Sequence, residues 1–188
     1  MATGGELILG GQRSGKSRCA EQRAAAWLAQ AGHTAVLVAT AVAHHAEMRD
    51  RITRHRADRA ERVPGLQTEE VPRDLPEAIR RWSAPTRLVV VDCLTLWLTN
   101  LLMPMNDLPI DDAVWQARCA DLCLAIGSAQ GPLVLVSNEI GLGVSPLSAE
   151  ARRFIDELGR LHQAVAARCE RVTWMIAGLE MPVKKAAP

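Results

Sequence analysis

The sequence predicts an α/β fold in which a mostly parallel sheet is covered by helices on both faces. Short apolar runs alternate along the chain with segments of helical periodicity. The run at residues 88–91 is continuously apolar, which is typical of a strand buried on both faces. A glycine-rich turn joins the first predicted strand to the first predicted helix.

The predicted strands and helices follow one another from residue 6 to residue 177 without a linker between domains. Turn-forming residues mark two loops, at 63–67 and 104–109, and neither is long enough to link two domains. We therefore expect one domain over residues 1–188. The strands are predicted at 6–9, 35–39, 88–91, 133–136 and 172–177, and the helices at 16–31, 47–62, 74–82, 94–103, 111–128 and 148–169.

The composition excludes several classes of protein. Of the 188 residues 48% are hydrophobic and 23% are charged, and the net charge is +1, which excludes a disordered chain and argues against a nucleic-acid partner. No apolar run approaches the roughly 18 residues of a membrane span and no leader is recognised, so we expect a cytoplasmic protein. The five cysteines contain no CxxC pair, which favours buried free thiols over disulfides or a zinc site.

The glycine-rich segment after the first strand matches the phosphate-binding pattern GxxxxGK[ST]. Its glycines let backbone N–H groups curl around phosphate oxygens, Lys16 reaches the β and γ phosphates, and the Ser17 hydroxyl is suited to bind Mg²⁺. Asp92 ends the apolar run at 88–91, where a carboxylate can hold Mg²⁺ beside Ser17, and a solvated loop carboxylate is the alternative. The residues expected to contact nucleotide here are Gly10, Gly11, Gln12, Arg13, Ser14, Gly15, Lys16 and Ser17.

A histidine lies within a basic segment that is predicted to be helical. Arg51, His55 and Arg59 recur every four residues and so share one helix face. The neighbouring positive charge favours the neutral imidazole, which is the form that attacks phosphorus. From the residues alone, a solvated basic helix with an incidental histidine is the simpler interpretation. His44 and His45, just after the second strand, are interpreted as helix caps, as nucleotide contacts or as loop residues.

Polar residues also follow the strand predicted at 133–136. Asn138 and Glu139 are expected at the carboxyl edge of the sheet, where open α/β sheets bind ligands. A tight glycine turn with a capping asparagine is the alternative interpretation.

Several segments, in order along nearly the whole chain, resemble one family of enzymes. The family is the bifunctional adenosylcobinamide kinase / adenosylcobinamide-phosphate guanylyltransferase of cobalamin biosynthesis. The most specific segments are Asp-Cys-Leu-Thr-Leu-Trp at 92–97 and Ser-Asn-Glu-Ile-Gly-Leu-Gly at 137–143, and the others are the P-loop at 10–18, 38–40, 47–56 and 153–160.

The resemblance implies a RecA-like P-loop fold, a homotrimer and two reactions on a corrinoid. In the first reaction the hydroxyl of the corrinoid's nucleotide-loop arm takes the γ-phosphoryl group of ATP or GTP. In the second, a histidine attacks the α-phosphorus of GTP, pyrophosphate leaves, and GMP passes to the new phosphate to give adenosylcobinamide-GDP.

The resemblance also implies roles for individual residues. His55 matches the guanylylated histidine, and we expect His55 and Lys16 to be catalytic. Ser17 and Asp92 are the expected Mg²⁺ ligands. Beyond the P-loop, the implied nucleotide contacts are Ala39, Thr40, Ala41, Arg56, Ala57, Asp58, Arg59, Glu70 and Asp92, with Glu69 as the alternative to Glu70.

The sequence departs from the family pattern at three places. His162 stands where the family has asparagine, Gln12 replaces a smaller P-loop residue, and Leu-Gln-Thr at 66–68 replaces Trp-Arg-Thr. None of these changes removes a group that the chemistry needs. Two other functions remain as alternatives: a regulatory or assembly ATPase in which His55 is inert, and a corrinoid kinase without the transferase step.

Overall fold

A seven-stranded sheet forms the centre of the fold. We analysed a computed structural model, which describes residues 4–43, 53–54, 57–105 and 107–185. The strand order across the sheet is β3-β2-β4-β5-β1-β6-β7. The strands are β1 (Gly5–Gly10), β2 (Thr34–Ala39), β3 (Leu66–Glu70), β4 (Arg87–Asp92), β5 (Leu133–Asn138), β6 (Arg171–Ile176) and β7 (Leu179–Lys184).

Every neighbouring pair of strands is parallel except β6 and β7, which are antiparallel. The register aligns Gly10 with Asn138 and Ala39 with Asp92. The carboxyl ends of β1, β2, β4 and β5 therefore meet at one edge of the sheet, which is where ligands bind in open α/β folds. This arrangement confirms the predicted mostly parallel α/β sheet.

Five helices have both ends within the described residues, and a side-chain cap begins two of them. The Asp111 side chain accepts from the Val114 N–H at 2.8 Å, and the Ser148 side chain accepts from the Ala151 N–H at 3.0 Å. Residues 53–54 and 57–62 of the helix predicted at 47–62 are also helical. The helices are α1 (Lys16–Leu28), α2 (Leu75–Trp82), α3 (Leu94–Leu102), α4 (Asp112–Gly127) and α5 (Ala149–Arg168).

The strands alternate their side chains between two apolar cores, one on each face of the sheet. Val89 and Val91 face the core formed with α2, α3, α4 and α5, in which Trp97 and Trp115 are fully buried. Val90 faces the other core, which α1 covers with Trp27. Burial on both faces explains why the central strands are continuously apolar.

The two edge strands are the elements that the sequence interpretation missed. Residues 66–67 were expected in a loop, but β3 begins at Leu66 and pairs with β2. This strand is polar and largely exposed, so it carries no apolar run. At the opposite edge, β7 is also exposed, and the turn into it is made by Ala177 and Gly178 with φ values of 53° and 81°. Positive φ at both turn residues suits a two-residue hairpin.

The cysteines agree with the expectation of free thiols. All five are unpaired, and four of them are buried. Burial raises the pKa of Cys19, Cys93, Cys119 and Cys169 to about 12, so these thiols are poor nucleophiles near neutral pH. Within the described ranges, no helix is long and apolar enough to span a bilayer.

Candidate functional site

The predicted phosphate-binding loop lies between β1 and α1. Gly15 precedes the helix with φ 102°, a left-handed conformation that favours glycine. The Lys16 Nζ donates to the Gly11 carbonyl at 2.6 Å and lies 3.4 Å from the Ser14 Oγ. An incoming phosphate would therefore replace the Gly11 carbonyl as the acceptor for this ammonium group.

The β6–β7 hairpin packs directly against this loop. The Gly178 N–H donates to the Ser14 carbonyl at 3.0 Å. A Cβ atom on Gly15 would lie 3.2 Å from the Gly178 Cα, and one on Gly10 would lie 2.5 Å from the Met175 carbonyl oxygen. Glycine at positions 10 and 15 therefore lets the loop sit close to the hairpin backbone.

Asp92 lies at the end of β4, close to the start of α1. Burial raises the pKa of its carboxyl group, while a hydrogen bond from the Ser17 hydroxyl and the charges of Arg59 and Lys16 act in the opposite direction. Burial also lowers the pKa of Lys16, against the opposing effects of Cys93 and Asp92. A hydroxyl bonded to a carboxylate is a pair of hard oxygen ligands that fits Mg²⁺, which keeps most of its remaining positions for water and phosphate. Among the residues that the structure describes, no group of three or more His, Cys, Asp or Glu side chains could form a metal cage.

A cavity of about 580 Å³ opens at this edge of the sheet and brings together residues from distant parts of the chain. Arg59 enters from the basic helical segment, and Glu70 enters from β3. Glu69 instead forms an ion pair with Arg81 on α2, so the cavity wall carries Glu70 and not its alternative. The lining is formed by Gln12, Arg13, Ser14, Gly15, Lys16, Ser17, Arg18, Glu21, Leu37, Ala39, Ala41, Arg59, Thr68, Glu70, Asp92, Cys93, Leu96, Val136 and Asn138.

Some residues expected to contact nucleotide lie outside this lining. Thr40 is fully buried behind the wall, where its hydroxyl donates to the Cys93 carbonyl at 2.7 Å and accepts from the Cys93 N–H at 2.9 Å. Thr40 therefore joins the ends of β2 and β4 instead of facing the cavity. Gly10, Gly11, Ala57 and Asp58 are also absent from the lining. The candidate nucleophile His55, Arg56, and the alternatives His44 and His45 lie outside the described residues.

Other lining residues were missed by the sequence interpretation. Glu21 is buried on α1 and accepts from the Arg62 Nε at 2.8 Å, which joins α1 to the basic helical segment. Thr68 was missed because β3 was interpreted as part of a loop. The others are Arg18, Leu37, Cys93, Leu96 and Val136. Arg18, Cys93 and Leu96 had a signal, since they lie in the family-like segments at 10–18 and 92–97.

Asn138 and Glu139 face two different cavities. Asn138 lines the 580 Å³ cavity, whereas Glu139 lines a second cavity of about 350 Å³ between the loop after β5 and helix α5. The Glu139 N–H donates to the Gly10 carbonyl at 3.0 Å, so the second cavity adjoins the start of the P-loop. His162 of α5 also lines it.

Comparison with known proteins agrees with these observations. A flagellar accessory protein FlaH from Methanocaldococcus jannaschii has the same fold, with a TM-score of 0.51 at 12% identity over 98% of this chain and 79% of that chain. The bifunctional adenosylcobalamin biosynthesis protein CobP of Pseudomonas aeruginosa is 46% identical over 95% of this chain and 96% of its own length. The corresponding protein CobU of Escherichia coli is 34% identical over 95% of this chain and 98% of its own length.

The family model for cobinamide kinase / cobinamide phosphate guanyltransferase matches residues 6–183. This match includes all seven strands, except for Gly5 at the start of β1 and Lys184 at the end of β7. Together with the curated relatives, it establishes that the chain belongs to the cobinamide kinase / cobinamide phosphate guanyltransferase family.

Proposed function

We propose that this chain performs both reactions for which its family is named. It phosphorylates adenosylcobinamide with ATP or GTP, and it then transfers GMP from GTP to the new phosphate to form adenosylcobinamide-GDP. The observation that carries this proposal is the 580 Å³ cavity, because Lys16, Asp92 and Arg59 line it together. Arg59 lies four residues after His55 in the sequence, so the described part of the segment that holds the candidate nucleophile reaches the 580 Å³ cavity.

In the kinase step, the loop and its lysine act on the phosphate groups. The backbone N–H groups of the P-loop and the Lys16 ammonium bind the β and γ oxygens, where negative charge accumulates during transfer. Ser17 and Asp92 would hold Mg²⁺, which neutralises phosphate charge when it is bound. The hydroxyl oxygen of the corrinoid arm forms the new bond to the γ-phosphorus while the bond to the β-phosphate oxygen breaks.

In the transferase step, we propose His55 as the nucleophile. Its imidazole nitrogen bonds to the α-phosphorus of GTP and pyrophosphate leaves, so the protein retains GMP until the corrinoid phosphate takes it. Arg59 and Arg56 supply positive charge close to His55 in the sequence, which suits a site that binds triphosphate.

The remaining parts of the proposal concern location and assembly. We propose a cytoplasmic homotrimer with one catalytic domain over residues 1–188. The exposed apolar residues Leu179, Met181 and Val183 on edge strand β7 offer a surface for a subunit contact. Light scattering after size exclusion measures the number of chains directly.

The deciding experiment for the function is intact-mass analysis after incubation with GTP and Mg²⁺ without corrinoid. The proposal expects a mass gain of one GMP, which is lost when adenosylcobinamide phosphate is added. A regulatory ATPase would hydrolyse nucleotide without retaining it, and a kinase without transferase activity would phosphorylate the corrinoid without forming the adduct. Either result would overturn the bifunctional assignment.

A further inference from the structure

The second cavity, of about 350 Å³, contains a fixed carboxylate. Glu139 Oε1 accepts from the Gly141 N–H at 2.5 Å, and Oε2 lies 3.6 Å from the His162 Nδ1. The Glu139 backbone is also anchored, since its N–H bonds to the Gly10 carbonyl at 3.0 Å. The carboxylate is therefore held in one place, and Oε2 is the oxygen that can accept a further hydrogen bond.

A buried hydrogen-bond chain orients the histidine beside this carboxylate. The His162 Nε2 lies 2.7 Å from the Ser137 Oγ, which lies 3.0 Å from the Thr95 Oγ1. Thr95 in turn accepts from the Asn138 N–H at 2.8 Å. Ser137 is 0% exposed and His162 is 6% exposed, so this chain runs through the protein interior.

The Glu139 carboxylate, 3.6 Å from the His162 Nδ1, favours one tautomer of the ring, and that tautomer sets the direction of the hydrogen bonds along the chain. An ionised carboxylate only accepts, so the ring proton that suits Glu139 is on the His162 Nδ1. The Nε2 atom must then accept from the Ser137 hydroxyl, which itself accepts from the Thr95 hydroxyl. Every hydroxyl proton in the chain then has an acceptor, which fixes the ring orientation. His162 is thus a positioning residue for Glu139.

Successive residues of one chain segment line the two cavities. Asn138 lines the 580 Å³ cavity, and the next residue, Glu139, lines the 350 Å³ cavity. A group held at Glu139 is therefore next to the P-loop without occupying it. A cavity of about 350 Å³ is at the small end of ligand sites, and it suits a flexible arm better than a whole macrocycle.

The loop that follows Glu139 supplies an apolar surface outside the cavity. Ile140 and Gly141 line the cavity, and the loop continues into Leu142, Val144 and Leu147, which are 80%, 97% and 99% exposed. Exposed apolar side chains within one loop offer a surface for an apolar ligand. A large ring with an arm in the cavity would cover these residues.

We propose that the smaller cavity receives the hydroxyl-bearing arm of the corrinoid, and that Glu139 accepts the proton of that hydroxyl as phosphoryl transfer proceeds. The oxygen–hydrogen bond breaks toward Glu139 Oε2 while the same oxygen bonds to the γ-phosphorus, and the nucleoside diphosphate leaves. The corrin ring remains outside, against Leu142 and Val144. This inference rests on the proposed function and extends it to the acceptor site.

The test separates the kinase step from the transferase step. In Glu139→Gln, we expect kcat for adenosylcobinamide phosphorylation to fall by about 10²–10⁴, with KM for the corrinoid little changed. Transfer of GMP to supplied adenosylcobinamide phosphate should be retained, because an ionised phosphate needs no base. Formation of the GMP adduct should also be unchanged, which shows that the variant is folded.

Glu150→Gln is the matched control, since Glu150 is an exposed carboxylate of α5 that lines neither cavity. This control should keep the kinase kcat. His162→Leu should lower the kinase kcat about tenfold and leave GMP transfer unchanged. His162→Gln should recover part of the kinase kcat, because an amide can accept from Ser137 and donate to Glu139.

Three outcomes are decisive. Kinase kcat that is unchanged in Glu139→Gln would overturn the inference, and so would an equal loss of both steps, which indicates a purely structural or binding role. Failure of the unmodified chain to phosphorylate adenosylcobinamide would instead overturn the proposed function, so the two failures can be told apart.

Discussion

The Gly178 N–H donates to the Ser14 carbonyl at 3.0 Å, and this bond ties the turn between β6 and β7 to the P-loop. The turn is formed by residues that lie far from the loop in the sequence. It gives the loop a backbone contact that does not depend on bound nucleotide. Changes in the hairpin should therefore affect nucleotide binding as well as stability.

Gly178→Ala tests this relationship. The φ of 81° at Gly178 is left-handed, so alanine should cost about 1 kcal/mol of unfolding free energy and shift the turn away from Ser14. We expect nucleotide affinity to fall roughly fivefold to tenfold, the value of one hydrogen bond. Gly32→Ala is the matched control, since Gly32 has φ 80° and open space around it. The control should lose similar stability and keep its nucleotide affinity; equal affinities in the two variants would contradict the prediction.

Lys16→Ala should abolish measurable phosphoryl transfer and weaken GTP binding. The lysine supplies the positive charge over the β and γ oxygens, and its loss should lower kcat by at least about 10²–10³. Kinase assays and GTP titration of the folded variant measure both effects. Lys185→Ala removes the same charge from an exposed position and should leave both unchanged. Normal phosphorylation by Lys16→Ala would exclude the P-loop from the reaction.

Asp92→Asn should raise the Mg²⁺ concentration needed for half-maximal activity while some nucleotide binding remains. The amide keeps the shape of the carboxylate and loses its charge. Because burial raises the pKa of Asp92, the ionised carboxylate is disfavoured in the fold, and the ligand-free variant should be at least as stable as the unmodified chain. Thermal unfolding with and without Mg²⁺ and GTP measures the stability of the variant and of the unmodified chain. An unchanged Mg²⁺ requirement would show that Asp92 does not bind the metal.

Glu180→Gln should destabilise the protein in a pH-dependent way. The hydrogen bond from Arg23 holds the pKa of the Glu180 carboxyl below its ordinary value of 4.5. A carboxyl group whose pKa falls on folding stabilises the fold above its unfolded pKa, and this contribution is lost as the pH falls through the lowered value. The stability difference between the variant and the unmodified chain should therefore be present at pH 7 and shrink below about pH 4.5. A difference that stays constant over this range would exclude the ion pair as its cause.

His55→Ala should separate the two reactions. Without the imidazole there is no group to carry GMP, so adduct formation and guanylyl transfer should be lost. The kinase step depends on the P-loop and an oriented hydroxyl, so at least part of it should remain. Intact-mass analysis and a phosphorylation assay measure the two steps in the same preparation. An adduct that persists in His55→Ala would show that another residue is the nucleophile, with His44 and His45 as the next candidates.

The sequence was sufficient to predict those parts of the fold and site that depend on neighbouring residues. The P-loop and Asp92 follow buried apolar runs, so their positions at the carboxyl edge could be inferred from the order of residues alone. Strand β3 could not be predicted in the same way, because its exposed polar residues gain their strand conformation from pairing with β2. The turn at Ala177 and Gly178 lacks the asparagine or aspartate that usually marks a hairpin.

Contacts between distant residues account for most of what the sequence left open. His162 and Ser137 are 25 positions apart, and nothing local to either predicts their hydrogen bond. Thr40 was placed with the nucleotide contacts, although tertiary packing turns its hydroxyl toward Cys93. Glu69 and Glu70 differ only in the face of β3 from which they project, and the pairing with β2 decides which of them reaches the cavity.

Strand β1 lies between β5 and β6, both of which come from the last third of the chain. At a synthesis rate of about 5–20 residues per second, the P-loop is synthesised roughly eight to thirty seconds before Met175 and Gly178. The loop lacks both strand neighbours until β5 is made, and it lacks β6 and the hairpin contact until the end of that interval. We therefore expect nascent chains to acquire nucleotide-dependent protection against proteolysis only after β6 and β7 have been synthesised.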